Sequence, residues 1–262
     1  DHRSIKNTER ARLEAQAKVV DTNLRRQLEA AHSALKSVRG DAAPLLSERN
    51  GQLLLNQRLQ SLSDAMPGVR TMLVLNPLGE ALASNRKELV GQNFSQRDYF
   101  KTAQASNNPN ALYLSKPFKT VLGVFALNLT KVVHDKQGQF AGIVTATLNP
   151  EFFYTLLDSV RYSDDVWTTL GHGDGLLIIQ APERKDFPDT DLDSMVAQRT
   201  LQAEILGMDK SLVIVIGRSQ TAIFANWRQD LYVRSGMFAL VSIILAASLF
   251  LHQRRQQILH SL

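Results

Sequence analysis

The chain has 262 residues, of which 44% are hydrophobic and 21% are charged, and this balance excludes a protein that is disordered throughout. It contains no cysteine, which excludes disulfide bonds, zinc–thiolate sites and a cysteine nucleophile. The net charge is +5, but the basic residues are interspersed with acidic ones rather than gathered into a stripe, and this argues against nucleic acid as a partner.

The first predicted element is a long helix. Apolar residues recur at spacings of three or four positions and so share one stripe: Leu13, Ala17, Val20, Leu24, Leu28, Ala31, Leu35 and Val38. This period suits a helix that lies along its own domain or pairs with a partner helix. Gly40 to Pro44 is predicted to end it, and a second helix is predicted at residues 52–66. Residues 1–66 are therefore predicted to form N-terminal stalk and packing helices.

Residues 67–162 predict a module built on an antiparallel sheet. Five strands are predicted, at residues 71–76, 80–85, 111–118, 124–134 and 140–149. A turn at Pro77–Gly79 joins the first two, and the turn sequence Asp135–Gly138 joins the last two. A helix beginning at Pro150 and running to about Val160 closes the module. Helices on one face of the sheet would leave the other face free for a pocket.

Residues 163–218 predict a second, smaller sheet module. Strands are predicted at residues 165–170, 175–181 and 211–217, and a helix is predicted between residues 194 and 206. From Ser219, a plausible N-cap, one signalling helix is predicted across residues 219–262. The predicted fold class is α+β, with a long N-terminal helix, two antiparallel-sheet modules and a C-terminal transmembrane helix.

The C-terminal segment predicts a membrane span. Residues 236–251 contain no charged side chain, and the apolar stretch extends to about 231–251 across the single Arg234, which approaches the roughly 20 residues that a spanning helix needs. Arg254 and Arg255 follow without any later acid, so the C-terminus is predicted to be cytoplasmic and residues 1–230 periplasmic, at a bacterial inner membrane. The alternative is a buried core helix that is apolar on all sides.

The charged residues Asp1 to Arg12 contain no apolar run that could direct export. We therefore expect a preceding membrane span in a longer parent protein, and a cytoplasmic output domain after Leu262.

The segment Gly91–Phe100, with the sequence GQNFSQRDYF, is the strongest candidate for a binding site. It places Arg97 beside the rings of Tyr99 and Phe100. The guanidinium offers a planar pair of donors that matches a carboxylate, and aromatic walls exclude water from such a contact. The alternative is that Arg97 pairs with Asp98 or another surface acid and that the two rings are core residues.

Other chemistries are disfavoured. The pair His134 and Asp135 and the pair His172 and Asp174 each lie in a turn, and no third ligand is spaced to complete a metal site. The glycine-rich turn at residues 171–175 lacks the strand-to-helix context and the lysine of a phosphate loop. The sequence contains neither a GxSxG nor an HExxH motif, so a hydrolase is the weakest option, and no cofactor or metal is predicted.

Several segments taken together resemble one family. These are the long first helix, GQNFSQRDYF, LYLSKPF at 112–118, HDKQGQFAGIVTATLNPEFF at 134–153, GDGLLIIQAP at 173–182 and the terminal span. In this order they resemble the double Cache (tandem PAS-like) extracytoplasmic sensor domains of bacterial diguanylate cyclases, histidine kinases and chemoreceptors. The resemblance implies a membrane-distal module (67–162) that binds the ligand, a proximal module (163–218) that couples it to the membrane, and a homodimer side by side along the first helices.

The resemblance also implies binding residues. Arg97, Tyr99 and Phe100 match the RxWY-like element that grips the ligand carboxylate in amino-acid-sensing members, and Tyr113 falls near the next aromatic position of that motif. Those members carry an aspartate on the last distal strand that binds the ligand ammonium, whereas Thr147 stands at the matching place here. The departure favours a plain carboxylate over a free amino acid.

Three further polar residues are candidates for the pocket because they lie on the predicted distal strands: Lys116, Asn128 and Thr145. The predicted function is an extracytoplasmic small-molecule sensor, not itself an enzyme. It would bind a small organic acid or amino-acid-like ligand and relay the signal through the transmembrane helix to a diguanylate cyclase or histidine kinase domain. The alternative is a structural or protein-interaction module with a vestigial pocket.

Overall fold

The computed structural model describes residues 2–119, 125–183, 193–225, 229, 232–233 and 235–245. Within these residues the chain forms a five-stranded and a four-stranded antiparallel sheet, which both pack on one long helix, and a separate two-stranded sheet. The first elements are α1 (His2–Leu46), α2 (Gly51–Ala65), β1 (Val69–Leu75), β2 (Ala81–Ser84), a 3-10 turn (Lys87–Leu89) and α3 (Asp98–Gln104). The distal module continues with β3 (Tyr113–Leu114), β4 (Phe118–Lys119), β5 (Phe125–Ala126), β6 (Asn128–His134), β7 (Phe140–Leu148) and α4 (Pro150–Ser159).

The remaining elements belong to the proximal module and the C-terminal segment. They are β8 (Val166–His172), β9 (Leu177–Ala181), β10 (Ser194–Leu201), α5 (Ala203–Leu206), β11 (Leu212–Ser219) and α6 (Gln220–Ile223). The predicted α+β class, the long first helix and the two antiparallel sheets are confirmed.

Helix α1 buries the apolar stripe that the sequence predicts. Every residue of that stripe, from Leu13 to Val38, is at most 1% exposed. The stripe packs against strands of both sheets, so α1 lies along its own domain. The helix continues through the predicted end at Gly40 to Pro44 and stops at Leu46, two residues after Pro44. A proline removes one helical hydrogen bond and crowds the carbonyl four residues earlier, and here that disturbance is confined to the last turn.

The distal sheet has the strand order β2-β1-β7-β6-β3. The predicted strand at 111–118 was wrong as a single element, because it divides into β3 and β4 around Pro117. A proline lacks the amide that a ladder needs, and β4 pairs instead with β5 in a separate hairpin. The predicted strand at 124–134 is likewise divided into β5 and β6.

The two faces of the distal sheet carry different side chains. One face presents Leu129, Val144 and Ala146 to the core that α1 shares. The other face carries Ile143 and Tyr113, and it packs under the aromatic side of α3. Strand alternation fixes this division once the register is known, and the register pairs Asn128 with Thr147 and Thr130 with Thr145.

The proximal sheet has the order β10-β11-β8-β9. The helix predicted between residues 194 and 206 was wrong over most of its length. Residues Ser194–Leu201 form a strand that pairs with β11, and only Ala203–Leu206 is helical. Along β10, Met195, Ala197 and Leu201 are buried. Pairing with a strand distant in sequence, together with burial of one face, outweighs the local preference.

The two modules join directly at the edge of the distal sheet. The amide of Leu112 donates to the carbonyl of Gly207 at 2.8 Å, and the amide of Asp209 donates back to the carbonyl of Leu112 at 3.1 Å. The carboxylate of Asp209 accepts from the amide of Leu114 at 2.7 Å. These bonds hold the loop after α5 against the segment that leads into β3.

The prediction of one helix across residues 219–262 was wrong at its start, because α6 covers only Gln220–Ile223 and ends at the C-cap residue Phe224. Residues 235–245 are also helical, and the rest of the predicted 219–262 helix lies in part outside the described residues. Among the residues that the structure describes, no helix combines the length and hydropathy needed to cross a membrane. The predicted span at 231–251 extends beyond these residues at 231, 234 and 246–251.

Candidate functional site

A cavity of about 420 Å³ lies where the two modules meet. Its distal wall comprises Gln96, Arg97, Asp98, Tyr99, Lys101, Thr102, Tyr113, Leu114, Ser115, Lys116, Pro117 and Phe118. Its proximal wall comprises His172, Asp174, Asp209 and Lys210. The volume falls within the range of roughly 300–1,000 Å³ that is usual for small-molecule sites. The first turn of α3 and the irregular segment between β3 and β4 therefore face the proximal loops across a space large enough for a ligand.

Arg97 occupies the N-cap position of α3, where its extended backbone turns the side chain back along the β4 segment. One guanidinium N–H donates to the carbonyl of Lys119 at 2.9 Å. The guanidinium carbon lies 5.8 Å from the ring centroid of Phe118, within cation–π range. Arg97 is half-buried, and it takes part in no ion pair among the described residues. The guanidinium of Arg97 is therefore held in position while other N–H groups remain available to bind a ligand.

Tyr99 forms the aromatic part of the wall. It is buried, and its ring lies 5.3 Å from that of Phe118. Burial raises the pKa of the Tyr99 hydroxyl to about 12, although the neighbouring Arg97 works in the opposite direction. The hydroxyl therefore stays protonated at physiological pH and can act as a neutral donor.

Tyr113 lines the same cavity from β3. Its hydroxyl donates to the carbonyl of Asn108 at 3.0 Å, so this proton is not available for a hydrogen bond to a ligand. Burial, and secondly the charge of Asp209, raise the pKa of Tyr113. Lys116, in the segment between β3 and β4, completes the set of predicted residues that the structure brings together around the cavity.

Phe100 is absent from the cavity wall. It is 2% exposed and packs edge-to-face on Phe140, with 5.7 Å between ring centroids. Adjacent helical residues project about 100° apart, so Tyr99 can face the cavity only if Phe100 turns toward the sheet. Both rings belong to one core cluster, as the alternative interpretation predicts, but Tyr99 also lines the cavity and Phe100 does not.

Asn128, Thr145 and Thr147 lie on the sheet face below α3, and each is at most 7% exposed. They bond to one another rather than lining the cavity. The amide of Asn128 donates to the hydroxyl of Thr147 at 3.3 Å, and its carbonyl oxygen accepts from Thr130 at 2.5 Å and also from Thr145. The hydroxyls of Thr130 and Thr145 lie 3.1 Å apart. This network satisfies its own polar atoms.

The residues of the proximal wall were not predicted from the sequence as part of a binding site. Lys210 donates to the carboxylate of Asp174 at 2.9 Å, and this bond lowers the pKa of Asp174. Burial raises the pKa of Asp209, whose carboxylate accepts from the backbone of the distal module. The sequence around His172 predicts a turn and disfavours both metal and phosphate binding. Nothing in the local sequence indicates that residues 172–174 and 209–210 line the same cavity as α3.

Within the described part of the chain, no group of three or more histidine, cysteine, aspartate or glutamate side chains could hold a metal ion. Nδ1 of His172 accepts the backbone N–H of Asp174 at 3.1 Å, so this nitrogen is engaged within the turn.

Comparisons with known proteins bear on the fold. No family model matches the sequence, and no curated protein matches it. The extracellular domain of rpHK1S-Z16, a protein described as a histidine kinase, is 18% identical over 84% of this chain and 98% of its own, with a TM-score of 0.69. The periplasmic sensory domain of the Campylobacter jejuni chemoreceptor Tlp1 is 15% identical over 84% and 98% of the two chains, with a TM-score of 0.63.

A third structure is the ligand-binding domain of the C. jejuni chemoreceptor Tlp3 in complex with 4-methylisoleucine. It is 13% identical over 84% of this chain and 94% of its own, with a TM-score of 0.60. This chain has the fold of an extracellular sensory domain. The sensory-domain fold that the double Cache resemblance implied is thereby confirmed.

Proposed function

We propose that the chain is the extracytoplasmic input domain of a membrane-bound signalling protein and that it binds a small carboxylate at Arg97. The observation that carries this proposal is the cavity beside a half-buried guanidinium that forms no ion pair among the described residues. A carboxylate there would gain charge-assisted hydrogen bonds. The rings of Tyr99 and Phe118 would limit competition from water.

Two of the three acidic residues that line the cavity are already engaged, which supports a plain carboxylate over a free amino acid. Asp174 is already paired with Lys210, and Asp209 already accepts the amide of Leu114. Thr147, at the place of the ammonium-binding aspartate, is engaged with Asn128. Tlp3 has been crystallised with isoleucine, L-norvaline and L-valine, so matched acids with and without the α-amino group belong in any ligand screen.

The C-terminal segment supports membrane attachment. Residues 235–245 are helical and exposed on all sides, including Phe238 at 76% and Ile243 at 68%. A helix that is apolar all round is unfavourable in water and suited to a bilayer. A span at about 231–251, followed by Arg254 and Arg255, would put residues 1–230 in the periplasm and the C-terminus in the cytoplasm of a bacterium.

In the proposed mechanism, ligand binding at the cavity changes how the two modules meet. Helix α1 packs on both modules, so a change in their relative position would displace α1. It would also displace β11, which leads into the C-terminal segment. The free energy for this change comes from the ligand binding one arrangement of the two modules more tightly than the other, a difference that is typically about 1–3 kcal/mol. A homodimer along α1 and a diguanylate cyclase or histidine kinase output domain complete the proposal.

Thermal-shift measurements on the purified 262-residue chain test ligand binding. We expect one or more small organic acids to raise the melting temperature and Arg97→Ala to abolish that rise, because ligand that binds the folded state stabilises it. Arg97→Lys should restore it only in part, since an ammonium lacks the planar donor fork. The matched control is Arg49→Ala, which removes an exposed arginine from the loop between α1 and α2.

The proposal fails if no acid shifts the melting temperature, or if Arg97→Ala leaves the shift intact. Absence of any small-molecule response, together with capture of one defined periplasmic protein, would instead support the interaction module with a vestigial pocket.

A further inference from the structure

Basic side chains gather where α1 packs against β6, and none of them lines the cavity. His32, Lys36 and Arg39 follow one another at spacings of four and three residues, so they share one face of α1 over two turns. Lys131 reaches this face from β6, because its ammonium nitrogen lies 3.3 Å from Nε2 of His32. We call these four side chains the α1 basic cluster.

The loop between α3 and β3 holds two members of the cluster close together. Lys131 donates to the carbonyl of Asn110 at 2.9 Å, and Arg39 donates to the carbonyl of Pro109 at 3.0 Å. The ammonium and the guanidinium are therefore bound to consecutive peptide groups of one loop. Each of these bonds uses a single N–H, whereas an ammonium has three and a guanidinium has five. Donors of both groups remain available for a further acceptor.

The α1 basic cluster has no acidic partner within the described residues. Its three lysine and arginine side chains take part in no ion pair there. The acid nearest to them in α1, Asp41, pairs with Arg58 at 2.5 Å. Glu29, three residues before His32, is exposed, and the loop at residues 106–110 contains only serine, asparagine and proline. The fold therefore leaves the positive charge of the cluster uncompensated.

Burial makes this uncompensated charge costly. Lys131 is 2% exposed, and His32 and Arg39 are half-buried. Burial, and then the charges of Arg39 and Lys36, lower the pKa of Lys131, and no carboxylate of the described residues acts against them. Buried charges in proteins are normally paired. An anion from solution would supply the partner that the chain does not.

We propose that the α1 basic cluster binds a small divalent oxyanion, such as sulfate or phosphate, between α1 and the loop at residues 106–110. Arg39 supplies the planar donor fork, and Lys36 and Lys131 supply two ammonium groups. Lys36 is exposed, so the anion has access from solvent. This site is distinct from the cavity, and the inference does not depend on the proposed function.

Isothermal titration calorimetry of the 262-residue chain with sodium sulfate, at constant ionic strength in chloride, tests the inference. We expect saturable binding that persists in Arg97→Ala, which removes the guanidinium of the cavity. Arg39→Met and Lys36→Met should each weaken sulfate about ten-fold, because each removes a charge-assisted contact. Lys136→Met, in the exposed turn between β6 and β7, is the control of equal charge change and should leave the affinity unchanged.

The pH dependence of sulfate binding tests the part played by Lys131. Its pKa is lowered to about 8, so the folded chain loses this proton between pH 7 and 9.5, whereas sulfate keeps its charge. Affinity should therefore fall by about ten-fold over this interval, through loss of one charged contact. Lys131→Met should bind sulfate about as weakly at pH 7 as the parent chain does at pH 9.5.

The inference is overturned if neither sulfate nor phosphate binds with saturation, or if Arg39→Met and Lys36→Met bind sulfate like the parent chain. Binding that disappears in Arg97→Ala would assign the anion to the cavity and would also overturn it. Circular dichroism and urea unfolding of each variant establish that a lost affinity does not come from a lost fold. Lys36→Met changes an exposed side chain and leaves the buried part of the cluster intact.

Discussion

At the scale of the residue, side chains that are close in sequence have different roles. Arg97 and Tyr99 line the cavity, whereas Phe100, which shares a core cluster with Tyr99, does not. Asn128 was predicted to contact the ligand. In the structure it is fully buried, and its side-chain oxygen accepts hydrogen bonds from the hydroxyls of two threonines. Its position indicates that it stabilises the sheet and does not contact the ligand.

The Asn128 network gives a prediction at this scale. Asn128→Ala leaves the hydroxyls of Thr130, Thr145 and Thr147 without this partner, so we expect the free energy of unfolding to fall by about 1–3 kcal/mol. Urea denaturation measures the loss. Titration of the same variant with a binding acid should give an affinity within about two-fold of the parent chain. A variant that keeps its stability but no longer binds would instead make Asn128 a ligand residue.

At the scale of the element, the contact between α1 and β6 contains a buried lysine. Lys131 is 2% exposed, and its ammonium group donates to the carbonyl of Asn110 at 2.9 Å and lies 3.3 Å from Nε2 of His32. Burial, and then the charges of Arg39 and Lys36, lower the pKa of Lys131 to about 8. The pKa of His32 is lowered as well, chiefly by burial, so its ring accepts from the ammonium group at neutral pH.

This pKa predicts how stability varies with pH. Between pH 8 and 10.5, the unfolded chain keeps the Lys131 proton while the folded chain has lost it, so the unfolded state binds more protons and the free energy of unfolding rises with pH. Urea midpoints at pH 7.5 and 9.5, compared between the parent chain and Lys131→Met, measure this contribution. The parent should gain stability relative to the variant at the higher pH, and an unchanged difference would refute the assignment.

Helix α1 and strand β10 differ in how far local sequence determines them. The apolar stripe from Leu13 to Val38 repeats with the helical period over many turns. The helix and its buried face can therefore be predicted from residues three or four positions apart in the sequence. Ser194–Leu201 carries no such signal, because its strand form depends on pairing with β11 and on the face that α1 covers. The predicted strand 111–118 is an intermediate case. The sequence shows Pro117, but whether a proline divides a strand depends on which strand pairs with each side of it.

At the scale of the whole molecule, one polar cluster outside the cavity wall connects the start of α1 to the end of β11. Glu9, near the start of α1, accepts from Arg218 at 3.0 Å and from the hydroxyl of Tyr162. Arg218, near the end of β11, also donates to Asp165 at 2.6 Å. The guanidinium carbon of Arg12 lies 3.7 Å from the ring centroid of Tyr162. The cluster therefore joins the incoming helix, the link between the modules and the strand that leads out.

A double-mutant cycle tests this connection. Glu9→Gln, Arg218→Met and the double variant should give a coupling free energy of about 0.5–3 kcal/mol in urea unfolding, because both side chains are largely buried. The matched control is the pair Arg58 and Asp41, which is 40% and 44% exposed and should couple by about 0.2–1 kcal/mol. Equal coupling in the two pairs would mean that the Glu9 cluster is no more than a surface contact.

The sequence by itself determined the features that depend on neighbours along the chain. These are the helical stripe, the alternating strands, and the grouping of Arg97 with aromatic residues at the start of α3. Only the tertiary structure decided that Asn128 and Thr147 bond to each other, and that Asp174 and Lys210 lie opposite Arg97. The physical reason is that the period of apolar residues shows which side of a helix or strand is buried. A cavity between two modules is formed by residues far apart in the sequence, and no local pattern shows that they will meet.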